Sequence, residues 1–121
     1  MNYEIRTELP ALNEYIDAER TNRYISAAMK KKYTKICAMA ALQVKNKIDK
    51  NGLYDLIITW NVTDNRKDAD NIYFSAKFLI DGLVASGALA GDGRKHIRHI
   101  HNYIFTKDKY LINVELKAVT D

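Results

Sequence analysis

The sequence predicts an α+β fold, a small mixed β-sheet with helices packed on it, as one domain over residues 1–121. Three observations carry this. LYDLIITWNVT (53–63) is rich in β-branched and aromatic residues and reads as a central strand. On either side of it, apolar residues recur at helical spacing. Two further strand-like segments, HIRHIHNYIF and YLINVELKAV, follow the second helical stretch.

In chain order, YEIRTEL opens as a strand that Pro10 ends, since proline lacks the donor a continuing ladder needs. Residues 11–20 fit a short helix or an ordered loop. From about Asn22 to Lys50, Ile25, Met29, Tyr33, Ile36, Ala40 and Val44 make one apolar stripe, and Asn51-Gly52 offers a helix stop. Within that stretch Cys37 reads as core rather than as a reactive thiol. After strand 53–63 comes the polar loop TDNRKDADN. A second helix is expected from about Asn71 to Ser86, ending at Gly87, with Ile72, Ala76, Leu79, Ile80 and Leu83 on its apolar face. The last two strands, joined by TKDK, carry a hairpin signature.

Hydrophobic residues at 47% and charged residues at 28% place the chain among globular proteins rather than disordered ones. No apolar run approaches the roughly 20 residues of a membrane span, and MNYEIRTELP lacks the pattern of a secretory signal. A single cysteine excludes an internal disulfide framework, so a reducing cytoplasm is the expected location and no membrane the expected partner. The net charge of +4 is a mild bias, but its distribution is uneven. Acids (Glu4, Glu8, Glu14, Asp17, Glu19) crowd residues 2–19, while cations cluster at Lys30-Lys31-Lys32, Arg66-Lys67, and Arg94-Lys95 with Arg98. A phosphate backbone would reward such clusters, although a solvated surface explains any one of them.

The stretch RKDADN, residues 66–71, places Asp68 and Asp70 two residues apart before the second helix. Asp and Asn favour helix N-termini, where they accept hydrogen bonds from free N–H groups and complement the dipole. One acid suffices for that, and two repel each other. A hard ion such as Mg²⁺, held by one or two carboxylates with room for a phosphate, is the other use of such a pair. Asp92, in the AGDG turn, could return towards them if the strand starting near His96 pairs beside strand 53–63. At about 100° per residue, Lys77 and Asp81 fall near the line of Asp70 on a continuous helix, although they also form an ordinary i, i+4 pair. His96, His99 and His101 are close together, but only His99 and His101 would share a strand face, which makes a weak zinc set.

The run RKDADNIYFSAKFLIDGLVASGALAGDG (66–93) resembles the signature of RusA-type Holliday-junction resolvases, a family common in bacteria and their phages. The shared pattern is a D-x-D-N pair, a helix bearing a lysine and D-[AG]-L, then an acidic turn. It covers about a quarter of the chain. The resemblance implies a RusA-like, homodimeric, Mg²⁺-dependent endodeoxyribonuclease, with Mn²⁺ as a possible substitute. Its partner would be branched double-stranded DNA, a four-way junction cut by paired nicks in recombination and repair. By position, Asp68, Asp70 and Asp92 would be the metal-binding and catalytic acids, with Lys77 as the catalytic lysine. Asn71 and Asp81 would support them, and Arg66, Lys67, Arg94 and Lys95 would bind neighbouring phosphates. Two departures stand out. Phe74 occupies the position one turn after D-x-D-N where the family often has its lysine, and Gly91-Asp92 replaces a frequent pair of acids. The rival expectations are a non-catalytic branched-DNA-binding protein, in which DADN only caps a helix, and a nuclease that prefers flaps or forks.

Overall fold

The computed structural model describes residues 1–120. Its elements run β1 (Asn2–Ile5), α1 (Leu12–Thr21), α2 (Arg23–Ala41), β2 (Tyr54–Val62), α3 (Ala69–Tyr73), α4 (Ala76–Ala85), β3 (Ile97–Thr106) and β4 (Leu111–Ala118). Together they form an α+β fold on one four-stranded mixed sheet, ordered β1-β4-β2-β3. Tyr54, Leu56, Ile58 and Trp60 alternate along β2 and are all buried, as are Ile112, Val114 and Leu116 of β4 and Tyr3 and Ile5 of β1. That alternation assigns one sheet face to the core, and the helices pack there. The opposite face carries Asp55, Ile57, Thr59 and Asn61, which are only partly covered.

The expected terminal hairpin does not form. β3 pairs with β2 in parallel, and β4 pairs antiparallel with both β2 and β1. The connection Lys107–Tyr110 therefore crosses the end of β2, where the Lys107 N–H donates to the Val62 carbonyl at 2.8 Å. Passing one intervening strand takes about 9.6 Å, within reach of four residues. Burial explains the choice. The three inward residues of β4 need sheet on both sides, whereas β3 exposes most of its residues and suits an edge.

Residues 11–20 resolve as helix. The Glu14 carboxylate accepts from the Ala11 N–H at 3.4 Å, and the Asn71 side-chain oxygen accepts from the Asn13 N–H at 2.9 Å. The Asn22 side chain caps α2 by accepting from the Tyr24 and Ile25 N–H groups. α2 stops at Ala41 and continues as turns, earlier than the expected end near Lys50. Its buried line is Ser26, Cys37 and Ala41, beside the expected stripe, whose Ile25 is 43% exposed. The offset comes from close packing on α4. A Cβ placed on Gly82 would lie 2.5 Å from the Cys37 Cβ, so small residues form the seam and larger ones flank it.

The expected helix 71–86 is broken into α3 and α4 around Phe74-Ser75. Ser75, Lys77 and Phe78 donate to Ile72, Phe74 and Ser75, three residues back, which winds the chain more tightly than an α-helix. The buried Ser75 hydroxyl donates to the Pro10 carbonyl at 2.7 Å and ties this joint to the end of the β1–α1 loop. Gly87, with φ of 82°, follows α4 at the expected place.

Candidate active site

β2 ends at Val62 and delivers the loop 63–68 to the carboxyl end of the parallel β2–β3 pair. Crevices at such ends are where open sheets place their ligands. Asp68 is the N-cap residue of α3, yet its side chain makes no capping hydrogen bond. Asp70 accepts from the N–H of Asn71, its immediate neighbour, at 2.9 Å. Both aspartates are exposed, and neither takes part in an ion pair among the described residues. Simple capping thus does not account for the pair.

The two cations that precede the pair are engaged elsewhere. Arg66 forms a fork with Asp64, its N–H and guanidinium each 3.0 Å from a carboxylate oxygen. These bonds, with the Arg66 charge, hold the Asp64 carboxyl below its usual range. The Lys67 ammonium lies 2.7 Å from Glu14 and 3.6 Å from Glu8. Burial pulls its pKa down, but the hydrogen bond and charge of Glu14, with Glu8, more than offset this and raise it. Lys67 is therefore a tie between the loop and the acid-rich N-terminal segment before it is a phosphate ligand. Glu8 and Glu14 were visible in the sequence only as an acidic run, without an indication of their partner. A cavity of about 70 Å³ behind Lys67, lined by Glu8, Asp64, Ser75 and Tyr110, is too small for a nucleotide.

The Asn71 side-chain oxygen is engaged by α1, as described. Phe74 packs between Tyr15 and Phe78, with ring centroids at 5.4 and 5.9 Å. The position at which the resemblance expects a lysine is thus spent on fastening α1 to α4. Lys77 lies 3.8 Å from Asp81, an i, i+4 pair on the side of α4, and the break at Phe74-Ser75 removes the continuous helical line from Asp70 to either residue. Such a partly exposed pair contributes on the order of 0.3–0.5 kcal/mol.

Asp92 does not return to Asp68 and Asp70 within one chain. The strand after it does pair beside β2, as expected, but in parallel, so it begins at the far end. Ile97 is opposite Tyr54, His96 accepts through its carbonyl from the Tyr54 N–H, and the Ala90 N–H donates to Lys50. β2 separates that end from Asp68 by about 26 Å at 3.3 Å per residue. Arg94 and Lys95 share the far end and are exposed. Among the described residues, no group of three or more His, Cys, Asp and Glu side chains is gathered at a spacing that could hold a metal ion. The Asp68–Asp70 pair alone still suits a hard ion that keeps most of its waters. Of the histidines, His99 and His101 do share a face, with ring centroids 6.2 Å apart, while a His96 ring nitrogen lies 3.2 Å from the Gly52 carbonyl.

At that same end a second polar feature ties β3 to β2. Arg98 donates from Nε and a terminal nitrogen to both oxygens of Asp55, at 3.0 and 2.7 Å, and the His99 N–H donates to the same carboxylate. The Arg98 hydrogen bonds foremost hold Asp55 below the usual carboxylate range. A depressed pKa contributes stability that is complete above the unfolded-state value and lost as pH falls through the folded-state value. An Asp55→Asn variant should therefore show a flatter Tm-versus-pH profile below about pH 4 than the parent chain. Equal slopes in differential scanning calorimetry would mean that the fork is not formed in solution.

Among the described residues, no helix is long and apolar enough to cross a membrane. The chain matches no family model and no curated protein sequence.

Proposed function

We propose that the chain is a divalent-metal-dependent endonuclease of RusA type that nicks branched DNA, with Asp68 and Asp70 as the acids that hold the ion. One observation carries the reading. Both carboxylates stand exposed at the carboxyl end of β2 without an ion-pair partner among the described residues, although Arg66 and Lys67 precede them directly and are neutralised by other acids. An unneutralised pair costs repulsion, and a ligand cation removes that cost.

Mg²⁺ held there would supply Lewis-acid stabilisation of a phosphate and a bound water acidic enough to attack it. The protein's part is positional. Asp68 and Asp70 are set by the start of α3, and the Ser75–Pro10 bond anchors the joint that follows. By the resemblance, Lys77, 3.8 Å from Asp81, would be the lysine that meets charge on a phosphate. Paired cuts in a four-way junction require two such sites, hence a C₂ homodimer. Asp92, at the other end of β2, has no place in this pair.

The separation of Asp92 favours a second reading, a branched-DNA-binding protein without catalysis. Incubation of the wild-type chain with a synthetic four-way junction, a flap and a fork, with Mg²⁺ or Mn²⁺, separates the two. The nuclease reading expects metal-dependent nicks that Asp68→Asn or Asp70→Asn abolishes while junction binding persists. Binding of junctions without cleavage of any substrate would leave only the second reading.

A further inference from the structure

The sheet face turned away from the helices bears a row of exposed aromatic residues that the acid pair does not use. Tyr103 and Phe105 alternate along β3 and are 52% and 49% exposed. Their register partners on β2 are Thr59 and Asn61, both on the open face. Two residues apart on one strand, their Cα atoms are about 7 Å apart, on the same face. His101 precedes them on the same face, and the Lys107 ammonium lies over the Phe105 ring, 5.7 Å from its centroid. The row runs into an open groove of about 660 Å³ lined by Arg6, Asn61, Lys107, Asp108, Lys109 and Leu111. Arg6 is paired with Glu4 at 3.1 Å, so Lys107 and Lys109 against Asp108 give this groove its positive balance. Elsewhere on the face the acids are Glu4 of β1, Asp55, held by Arg98, and Glu115 of β4.

We infer that this face binds unpaired nucleotides, with bases stacked on Tyr103 and Phe105 and the adjoining phosphates drawn to Lys107 and Lys109. Aromatic rings on an open sheet beside a cationic groove combine the two requirements of single-strand binding, a π-face for each base and charge for the backbone. A protein partner without an acidic surface would gain from the rings but not from the cations. A duplex would gain from the cations but could not reach the rings with stacked bases. The choice of nucleic acid rests on the reading proposed above, which this inference deepens: the unpaired part of a branched substrate lies on the sheet, beside the end of β2 that carries Asp68 and Asp70.

Fluorescence anisotropy of a labelled oligothymidylate, titrated with the full chain in EDTA, tests this without cleavage. Tyr103→Ala and Phe105→Ala should each weaken binding about 5- to 150-fold, the range of one lost base stack, and Tyr103→Trp should retain it. Lys107→Gln and Lys109→Gln should each lower the slope of log affinity against log salt by about 0.7. Alanine variants with unchanged circular dichroism and wild-type affinity would overturn the inference. So would alanine variants that only convert a dimer into a monomer by light scattering, since the face would then cover a second copy. Ring-dependent binding without junction nicking leaves this inference standing and removes the nuclease. Nicking with ring-independent binding does the reverse.

Discussion

Replacing Trp60 with alanine is expected to remove about 3–5 kcal/mol of folding stability, a large share of the roughly 5–15 kcal/mol typical of a domain. The indole is fully buried on the helix-facing side of β2 and is among the largest side chains of the core. Its Nε1–H also donates to the Asn102 side-chain oxygen at 2.8 Å, which joins the central strand to the edge strand through a side chain as well as the backbone ladder. Truncation leaves a cavity and an amide without its donor. A Trp60→Phe variant keeps most of the buried ring and loses the hydrogen bond, about 0.5–1.5 kcal/mol, with a smaller cavity than alanine leaves. Urea unfolding followed by far-UV circular dichroism gives both values. A loss below about 1 kcal/mol for Trp60→Ala would contradict the buried position of this residue.

Gly82→Ala should destabilise, against the ordinary rule that alanine in a helix gains about 1 kcal/mol over glycine. The added methyl would meet the Cys37 Cβ at 2.5 Å, the Cys37 carbonyl carbon at 2.6 Å and the Ala38 nitrogen at 2.7 Å. Two of those atoms are backbone, so α2 as a whole must move away from α4. Overpacking of this kind costs about 1–3 kcal/mol, enough to reverse the propensity gain. Because the obstacle is the main chain, shortening the neighbour by Cys37→Ala should not rescue the variant. The thiol itself reports the movement. Burial, with a smaller contribution from the Asp81 charge, pushes Cys37 up to about 12, so the native thiol should resist disulfide reagents. In Gly82→Ala it should react faster. A stabilised Gly82→Ala chain with an unreactive Cys37 would show that the two helices are not in this contact.

Much of the architecture was legible residue by residue. The β-branched run of 53–63 became the central strand, Gly87 followed the second helix, and Cys37 became core. The α2 stripe was displaced by about one position, because periodicity identifies a face but not which of its residues a partner helix touches. Gly82 is the clearest case. Nothing in FLIDGLVAS distinguishes a glycine that tolerates a side chain from one pressed against Cys37. The helix break at Phe74-Ser75 was hidden for a similar reason, since the joint is fastened by a hydrogen bond to Pro10, far away in sequence.

The candidate site divides along the same line. By itself the sequence determined the presence and local order of its parts: an acid pair at the end of a strand, a helix after it, an acidic turn before the next strand. Those follow from side-chain chemistry and periodicity, which act over a few residues. Only the tertiary structure decided that β4 enters between β1 and β2, which leaves β3 at the edge with its aromatic face uncovered. It also decided that Lys67 is taken by Glu14 and Glu8, and that the parallel pairing of β3 carries Asp92 to the far end of β2. Each is a choice of partner between distant segments, set by which strand has the most apolar surface to bury and which cation an acid can reach. No local pattern encodes that competition.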